Sequence, residues 1–447
     1  MSRQISFLEI VIRRSTKLTL LVFITAQLCL FGTLPALADD EPNLLDMSLE
    51  ELMGMDFSEK KPRPLTIYGY MSANVEKVFG ELSISDGQTV KTNAPHEWSV
   101  PHFHIFMRAH PTSTIETFVN IATEEMEVRN MWGNIGFHRA FQIRLGKVYR
   151  RFGLFNAKID EVPTYLGIEP PELFDTDHLL LPRLTSFMIH GDVVRENATY
   201  SYALCTDNGE AGPTDGVIPL GWDVRAKIHG NVLVGVSGYV SDLGSSTNSP
   251  SQAVGEGSVD GGVLPWMAGD DYEVYGGFAE IQIKRWLIKA AYWEANHTFC
   301  RDASTVLDIA IATDLNDNQK ERFFGASADV AASSLTEDDV VQSGRYRVKT
   351  GYVRLGYFIY SDHGTFAPFV FFDWMHNPET IEDKELGGDK ECGIADDGLF
   401  YKYTVGISYK PVDEVAIKLD HSAHIQKYNG RTESYPEIRF DVSYMFR

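Results

Sequence analysis

The chain ends in the stretch Ile438-Arg439-Phe440-Asp441-Val442-Ser443-Tyr444-Met445-Phe446, in which one set of positions is apolar and the other is mostly polar. Successive side chains of a β-strand point to opposite faces, so this period of two predicts a strand with one apolar face. The same alternation recurs between His102 and His110. Either a soluble sandwich or a membrane barrel would produce such a pattern, and the spacing between strands distinguishes them.

Alternating runs occur along most of the chain. We predict sixteen strands, at approximately 64–79, 98–110, 114–123, 126–138, 141–149, 185–194, 197–205, 221–229, 231–242, 273–284, 286–298, 345–360, 366–377, 399–410, 415–428 and 435–446. An even number of strands is typical of bacterial outer-membrane barrels. After the N-terminal region, no segment offers the roughly 18 uninterrupted apolar residues that a transmembrane helix needs.

The predicted connections alternate between two classes. Tight turns join the members of each hairpin, whereas most of the other connections are long: 80–97, 150–184, 206–220, 243–272, 299–344 and 378–398. Short periplasmic turns opposite long extracellular loops are typical of outer-membrane barrels, in which the sheet closes so that every backbone group is hydrogen bonded in lipid. The sequence therefore predicts an all-β fold, a transmembrane antiparallel β-barrel of about 16 strands over residues 64–447.

The first 38 residues have the features of a secretory signal peptide. Basic residues precede an apolar stretch over 18–34, and Ala36-Leu37-Ala38 forms an A-x-A cleavage site. A membrane anchor is the alternative, but the stretch contains polar residues and is short for a span. A lipoprotein signal through Cys29 is disfavoured because Leu28 stands where a small residue is usual. We expect export through the periplasm to the outer membrane.

Residues 39–63 are predicted to be a periplasmic N-terminal segment with a short helix. Apolar residues between Leu44 and Met53 recur at roughly helical spacing, and Ser48 with Glu51 forms a capping box. The stretch 49–53 also resembles the start of the plug in TonB-dependent receptors. The strand pattern from residue 64 onward leaves no chain for the plug itself.

Charge limits the class of partner. The chain has 40 Lys and Arg against 62 Asp and Glu, a formal net charge of −22. Nucleic-acid binding needs clustered excess cations, so we exclude it as a general function. Ions and small solutes are the expected partners, together with the lipid bilayer and lipopolysaccharide around a barrel.

The predicted wall and the predicted loops differ in charge. If the apolar face is lipid-facing, the lumen receives mainly basic residues: Arg108, Arg144, Arg225, Lys227, Arg345, Arg347, Lys349, Lys402, Lys418 and Arg439. The acidic residues there are fewer: Glu76, Glu116, Asp223, Asp420 and Asp441. Selectivity depends on the side chains at the narrowest point, where the field is focused.

The most informative internal stretch is Arg144-Leu145-Gly146-Lys147-Val148-Tyr149-Arg150-Arg151-Phe152-Gly153-Leu154-Phe155-Asn156. It resembles the phosphate-selective porin and related porin families, in which a strand ending in a similar sequence leads into a loop folded into the channel. The resemblance implies a passive diffusion channel, often a homotrimer, with no cofactor and no enzymatic activity. Position by position, it makes Lys147, Arg150 and Arg151 candidates for a basic constriction. The alternative is that these cations pair with loop carboxylates and only hold the loop.

The predicted lumen face adds Arg108, Arg144, Arg225 and Lys227 to the candidate pore residues. Together with Lys147, Arg150 and Arg151, these residues predict a pore that passes anions at least as well as cations. Two other functions remain as alternatives: an outer-membrane barrel hydrolase, for which no catalytic motif is present, and a surface-binding barrel plugged by its own loops.

Metal and disulfide sites are also limited by the sequence. His102 and His104 share a strand face, but two imidazoles do not make a metal site. The stretch after Asp314 begins like a calcium loop and lacks its turn glycine. In an oxidising compartment Cys300 and Cys392, which fall in long loops, are predicted to form a possible disulfide.

Overall fold

The computed structural model describes residues 65–79, 81–83, 89–91, 97–123, 127–171, 183–207, 218–243, 266–312, 315–379, 398–428 and 431–447. The predicted signal peptide (1–38), the predicted N-terminal helix (within 39–63), Asp314 and Cys392 lie outside the described residues.

Sixteen long strands make up the described barrel. Their bounds are β1 Leu65–Val78, β2 Glu97–Ala109, β3 Ile115–Ala122, β4 Glu127–His138, β5 Phe141–Tyr149, β6 Arg183–Arg195, β7 Ala198–Asp207, β8 Leu220–Ile228, β9 Val232–Leu243, β10 Met267–Ile283, β11 Trp286–Arg301, β12 Ser343–Tyr357, β13 Gly364–His376, β14 Leu399–Val412, β15 Val415–Tyr428 and β16 Arg431–Phe446. A short strand, Ile359–Ser361, continues β12 beyond Phe358, and Glu81–Ser83 pairs with Thr89–Lys91 in a separate hairpin.

Every strand pairs antiparallel with its neighbour in sequence, and the sheet closes on itself. The first strand pairs with β2 on one side and with β16 on the other, where Gly69 lies opposite Phe446. Closure satisfies the backbone groups that an open sheet would leave at its edges. The predicted antiparallel barrel of sixteen strands is therefore confirmed.

The connections at one end of the barrel are short, and those at the other end are mostly long. In the three-residue β8–β9 connection, His229 (φ 49°) and Gly230 (φ 77°) lie in the left-handed region, and the N–H of Asn231 donates to the carbonyl of Ile228 (3.3 Å). We refer to the two ends as the short-turn end and the long-loop end.

The outer face is a band of exposed apolar residues with aromatic side chains near both boundaries. Trp286 packs on Tyr357 near the short-turn end (4.7 Å between ring centroids). Six residues farther along β11, Tyr292 packs on Trp374 of β13 at 6.0 Å. An apolar band bordered by aromatic girdles is the outer surface expected of a barrel in lipid.

The connection between β11 and β12 folds into helices. Helix α1 covers Ala303–Ala312 and α2 covers Asp317–Phe324, followed by short 3-10 turns. Asp302 accepts hydrogen bonds from the backbone and hydroxyl of Thr305, and Asn316 forms a capping box at α2. Within the described chain, no helix is long and apolar enough to cross a membrane.

These helices share a small core with the adjoining strand ends. Its members are Trp266, Met267, Phe299, Val306, Ala310, Leu315, Phe323, Phe324 and Val340. The guanidinium of Arg301 lies between the rings of Phe299 and Phe323 and forms a bidentate ion pair with Glu379. The connection is thus a packed cap that is attached to the end of β13.

One sequence expectation about the wall is wrong. Arg345, Arg347 and Lys349 face outward, because Tyr346, Val348 and Tyr352 occupy the lumen face of β12. The lumen beside β12 is packed with apolar groups, so the apolar side of this strand is its inner side.

Candidate functional site

The connection that follows β5 enters the lumen, as the porin resemblance implied. Residues 150–171, which we call the inner loop, contact lumen-facing side chains on strands around the barrel. Most of its side chains are buried, among them Phe152, Leu154, Phe155, Val162 and Tyr165. The loop therefore packs against the wall on one side of the lumen. On the other side it borders the rest of the lumen without filling it.

The first arm of the loop is held near the β7–β9 wall. Arg150 is 2% exposed, pairs with Asp207 (3.2 Å) and lies 3.6 Å from the ring centroid of Tyr239. The backbone N–H of Gly153 donates to Ser237 Oγ at 3.1 Å. Phe152 then stacks on Trp293 of β11 at 4.2 Å.

The tip of the loop reaches β1 and β3. The hydroxyl of Tyr70 donates to the carbonyl of Asp160 (2.5 Å), and Asn120 Nδ2 donates to the Asp160 carboxylate (2.7 Å). Burial raises the pKa of Tyr165 well above its usual range, so its hydroxyl stays protonated and donates to the carbonyls of Lys158 and Ile159. The tip is thus fixed both to the wall and to itself.

The second arm is fixed by charged groups on β12 to β16. Lys418 Nζ donates to the carbonyls of Val162 (2.5 Å) and Gly167 (2.9 Å). Around Glu169, three cations converge: Lys402 (2.7 Å) and Arg439 pair with its carboxylate, and Arg354 donates to its carbonyl (2.8 Å). Asp420 accepts a hydrogen bond from the N–H of Ile168 (3.2 Å).

We call this side of the lumen the packed wall. It comprises the lumen-facing residues of β11–β16 that contact the inner loop: Trp293, Arg354, Lys402, Lys418, Asp420 and Arg439. Buried charges are retained in proteins when they are paired and hydrogen bonded. The loop carbonyls and Glu169 supply those partners here.

The opposite side retains solvent-exposed charge. We call it the charged wall: the partly exposed Arg108 of β2, Glu116 of β3, Arg144 of β5, and Arg225 and Lys227 of β8, together with the buried Asp223 of β8. Arg108 and Glu116 form an ion pair (3.2 Å) with both side chains 20% exposed. Arg144 lies 3.8 Å from the ring centroid of Trp132. Water therefore reaches charges along this wall.

The loop residue Arg151 belongs to the same exposed group. Its Nε lies 3.6 Å from the carboxylate of Asp223, which also accepts a bidentate pair from Arg225. The carboxylate is fully buried, whereas the side chains of Arg151 and Arg225 are 24% and 14% exposed. Solvent at this point meets the two guanidinium groups, with the partly exposed carboxylate of Asp192 on β6 as a further neighbour of Arg151.

The seven residues predicted for the pore are placed differently. Four of them belong to the charged wall, namely Arg108, Arg144, Arg225 and Lys227, and the loop residue Arg151 lies beside that wall. Arg150 is in the buried pair with Asp207, which favours the loop-holding alternative for this residue. Lys147 lies opposite the exposed Met131 in the ladder, and its ammonium pairs with Glu127 at 3.0 Å near the long-loop end.

The remaining candidate sites are weaker. His104 Nδ1 lies 3.0 Å from the Asn120 side-chain oxygen, and no cluster of three or more metal-ligating side chains occurs among the residues described. Cys300 is exposed at the long-loop end of β11. The disulfide with Cys392 stays a prediction because Cys392 is outside the described ranges.

Sequence reasoning missed the contacts that fix the loop. Lys402, Lys418 and Arg439 were recognised as lumen-facing, but their partner Glu169 and the carbonyls of Val162 and Gly167 are more than 200 residues away in sequence. The alternation of residues within a strand carries no information about contacts this distant in sequence. The sequence feature that pointed toward these contacts was the basic lumen face of the strands carrying Lys402, Lys418 and Arg439, together with the acidic residues of the inner loop.

Comparison with known proteins adds evidence on the fold. No family model matches the sequence, and none of the curated proteins compared with it is similar in sequence. The anion-selective porin from Comamonas acidovorans superposes with a TM-score of 0.50 at 10% identity, over 86% of this chain and 99% of that chain. The chain has a porin fold.

Two further solved structures cover similar shares of the porin-fold chain at lower TM-scores. The outer membrane channel DcaP of Acinetobacter baumannii has a TM-score of 0.48 at 8% identity, covering 86% of this chain and 97% of its own. Salmonella typhi OmpF, solved with daunomycin, has a TM-score of 0.46 at 13% identity, covering 86% and 97%.

Proposed function

We propose that the protein is an outer-membrane channel through which small ions and solutes diffuse passively, with a preference for anions. Solutes pass between the inner loop and the charged wall. The observation that carries the proposal is the burial of Asp223 beneath Arg151 and Arg225, which leaves cations facing the solvent at the edge of the loop. The porin fold and its apolar outer band support the membrane location.

Two features of the site support anion preference in particular. Guanidinium groups bind oxyanions through several N–H donors, and a low-dielectric wall focuses their field on the passage. Arg108 and Arg144 continue the cationic surface on β2 and β5. The acidic excess of the whole chain does not decide selectivity, because exposed charges beyond about 8–10 Å are largely screened at physiological ionic strength.

The test is a zero-current potential across a planar bilayer with a salt gradient. Replacing Arg151 with Ala should shift the potential toward cation selectivity, because a positive charge beside the passage is lost. The local attraction of anions by that charge is roughly a few kT. Arg139→Ala, in an exposed turn, is the matched control and should leave the potential unchanged. A potential that Arg151→Ala does not move would contradict the proposed pathway.

The same recording addresses a second function that the inner loop favours. The loop contacts wall strands all around the barrel, as a loop-plugged surface-binding barrel would require. A folded protein that inserts into bilayers and gives no measurable conductance would support the plugged barrel over the channel.

Orientation can be tested on intact cells. If the short turns are periplasmic, an epitope inserted at His363 should be hidden from antibody, and one inserted between Ala332 and Ser334 should be accessible. Both sites are exposed turns or 3-10 segments, so insertion should spare the barrel. The reverse labelling pattern would invert the topology.

A further inference from the structure

The turns at the short-turn end divide the rim of the barrel by charge. Around three consecutive turns, four cations are exposed: Arg195 between β6 and β7, Lys227 at the end of β8, and Lys284 and Arg285 between β10 and β11. We call these four residues the basic rim. Arg139 lies one turn beyond its edge. The turns on the other side of the barrel carry acids instead: Asp362, Asp413 and Glu414.

The cations of the basic rim have no protein partner in the described chain. None of their side chains forms a hydrogen bond or an ion pair there, and the single acid on these turns is Glu196. Lys284 also lies in the left-handed region (φ 55°), where Gly or Asn is the usual turn residue. The geometry of the turn therefore gives no reason for a lysine at this position.

The lumen carboxylates nearest along the same strands already have cationic neighbours. Glu280 of β10 pairs with Lys289 (3.3 Å), and Asp223 of β8 pairs with Arg225 (2.7 Å). Asp192 of β6 lies near Arg151. The wall of the barrel therefore supplies no free carboxylate to the basic rim.

One stretch of this chain carries the complementary charge and is attached at the same end of the barrel. Residues 44–59, which we call the acidic segment, contain five Asp and Glu and no Lys or Arg. A five-residue linker, 60–64, joins this segment to β1 and carries three cations that are tethered beside that strand. Leu65 lies opposite Ala109, next to the short β2–β3 turn. The acidic segment itself is outside the described residues.

The acidic segment is long enough to span the opening at the short-turn end. Sixteen strands about 4.8 Å apart and tilted by about 40° give a barrel roughly 32 Å in diameter. The extended linker covers about 16 Å, and sixteen residues at the rise of a helix cover about 24 Å. Since β8 is halfway around the sheet from β1, the basic rim lies across the opening from the linker and within reach.

We propose that the acidic segment binds the basic rim and lies across the opening at the short-turn end. Its carboxylates pair with the four exposed cations and are repelled by the acidic turns on the other side. The binding does not depend on conduction. Its consequence rests on the function proposed above, because five negative charges in front of the charged wall would reduce the entry of anions.

Carbodiimide coupling of the full-length barrel in detergent tests the contact. The reagent joins a carboxyl group to an amine only where the two already touch, and peptide mapping identifies the pair. We expect products that join the acidic segment to Lys227 or Lys284. Their yield should fall several-fold in 1 M salt, where the Debye length is about 3 Å.

A double variant removes the arginines of the basic rim and keeps both lysines as reporters. R195Q/R285Q should lower the yield of the lysine products at least fivefold. The matched control R345Q/R347Q removes two exposed arginines of β12 near the long-loop end and should stay within twofold of the parent protein. If the double variant does not fold, R285Q alone should lower the yield about twofold.

Three results would overturn the proposal. One is parental yield in R195Q/R285Q. Another comes from mixing isotopically labelled and unlabelled chains: products that always join the two kinds would assign the acidic segment to a second copy. The third is protection of the segment from protease by lipid vesicles alone, independent of the rim arginines, which would place it on the membrane surface.

Conductance in planar bilayers keeps this proposal separate from the channel. Neutralising the acidic segment with D46N/E50Q/E51Q/D56N/E59Q should raise the chloride conductance about twofold. Lysine products without conductance in any variant would contradict only the channel. Unchanged conductance in the neutralised variant of a conducting protein would overturn the effect on anion entry.

Discussion

The packed wall and the charged wall contain the same kinds of residue in opposite states. Lys418 on the packed wall is fully buried and donates to two loop carbonyls. Arg108 on the charged wall is partly exposed beside Glu116. A cation in a barrel lumen is therefore not in itself evidence of a conduction path. Its exposure, and the partner that it meets, decide between a structural and a permeation role.

The largest effect is expected where the packed wall holds the loop. Lys418→Met removes the donor to the carbonyls of Val162 and Gly167 and leaves Asp441, its neighbour across the ladder, without that cation. Breaking a buried charged interaction costs roughly 3–5 kcal/mol, so unfolding in urea should shift accordingly. Release of the second arm should also raise single-channel conductance several-fold.

The matched control for this change lies on the other wall. Lys227→Met removes an exposed lysine from β8, and we expect unchanged stability with at most a change in ion selectivity. Equal destabilisation by both substitutions would remove the distinction between the walls.

A smaller effect on the free energy of unfolding is expected when a buried and an exposed phenylalanine are each replaced with Ala. Phe152 of the inner loop stacks on Trp293 and is 1% exposed, whereas Phe137 on the outer face is 64% exposed. Phe152→Ala should lower the free energy of unfolding by about 3 kcal/mol through loss of burial and formation of a cavity. Phe137→Ala, measured by the same urea titration in vesicles, should cost less than half as much. The opposite order would mean that the loop is not part of the packed core.

The smallest effect concerns the helical cap between β11 and β12. Hydrogen bonds from Thr336 and Ser327 hold the pKa of Asp339 below its ordinary value. Burial alone would raise the pKa of Asp302, but hydrogen bonds from Thr305 and Ser304 outweigh it and lower that pKa as well. Because these carboxyl groups have lower pKa values in the folded state than in the unfolded state, their ionised forms stabilise the folded cap at pH values above the unfolded-state pKa. This stabilisation is lost as the pH falls below about 4.

Hydrogen exchange can detect this loss. Amides in residues 303–342 should exchange faster at pH 3 than the intrinsic rate change predicts, while those in β14–β16 should not. The double variant D302N/D339N should have a flatter pH dependence. An unchanged dependence in that variant would assign the acid sensitivity to other groups.

Much of the fold was predictable, and the reason is local. Period-two alternation and the two classes of connection are properties of neighbouring residues, so strand bounds such as 141–149 and 415–428 agree with β5 and β15. The lumen-facing assignment of Arg108, Arg144 and Arg225 followed from the same pattern.

The site was predictable only in part, because its contacts are distant in sequence. The pattern failed at Arg345, Arg347 and Lys349, where the inner face of β12 is apolar because it packs on the loop and the cap. Likewise, the buried pair of Arg150 with Asp207 depends on two separate segments. Alternation identifies the two faces of a strand, and packing decides which of them is the more apolar.

The pairing of β1 with β16 joins residues roughly 380 positions apart in the sequence. Such a contact forms only after the whole chain has been synthesised, so closure is expected to come late and to be slow. A chain that stops before Arg431 would retain two open edges, on β1 and β15, each able to pair with another molecule. Truncated products of this protein should therefore aggregate through strand edges rather than insert as smaller barrels.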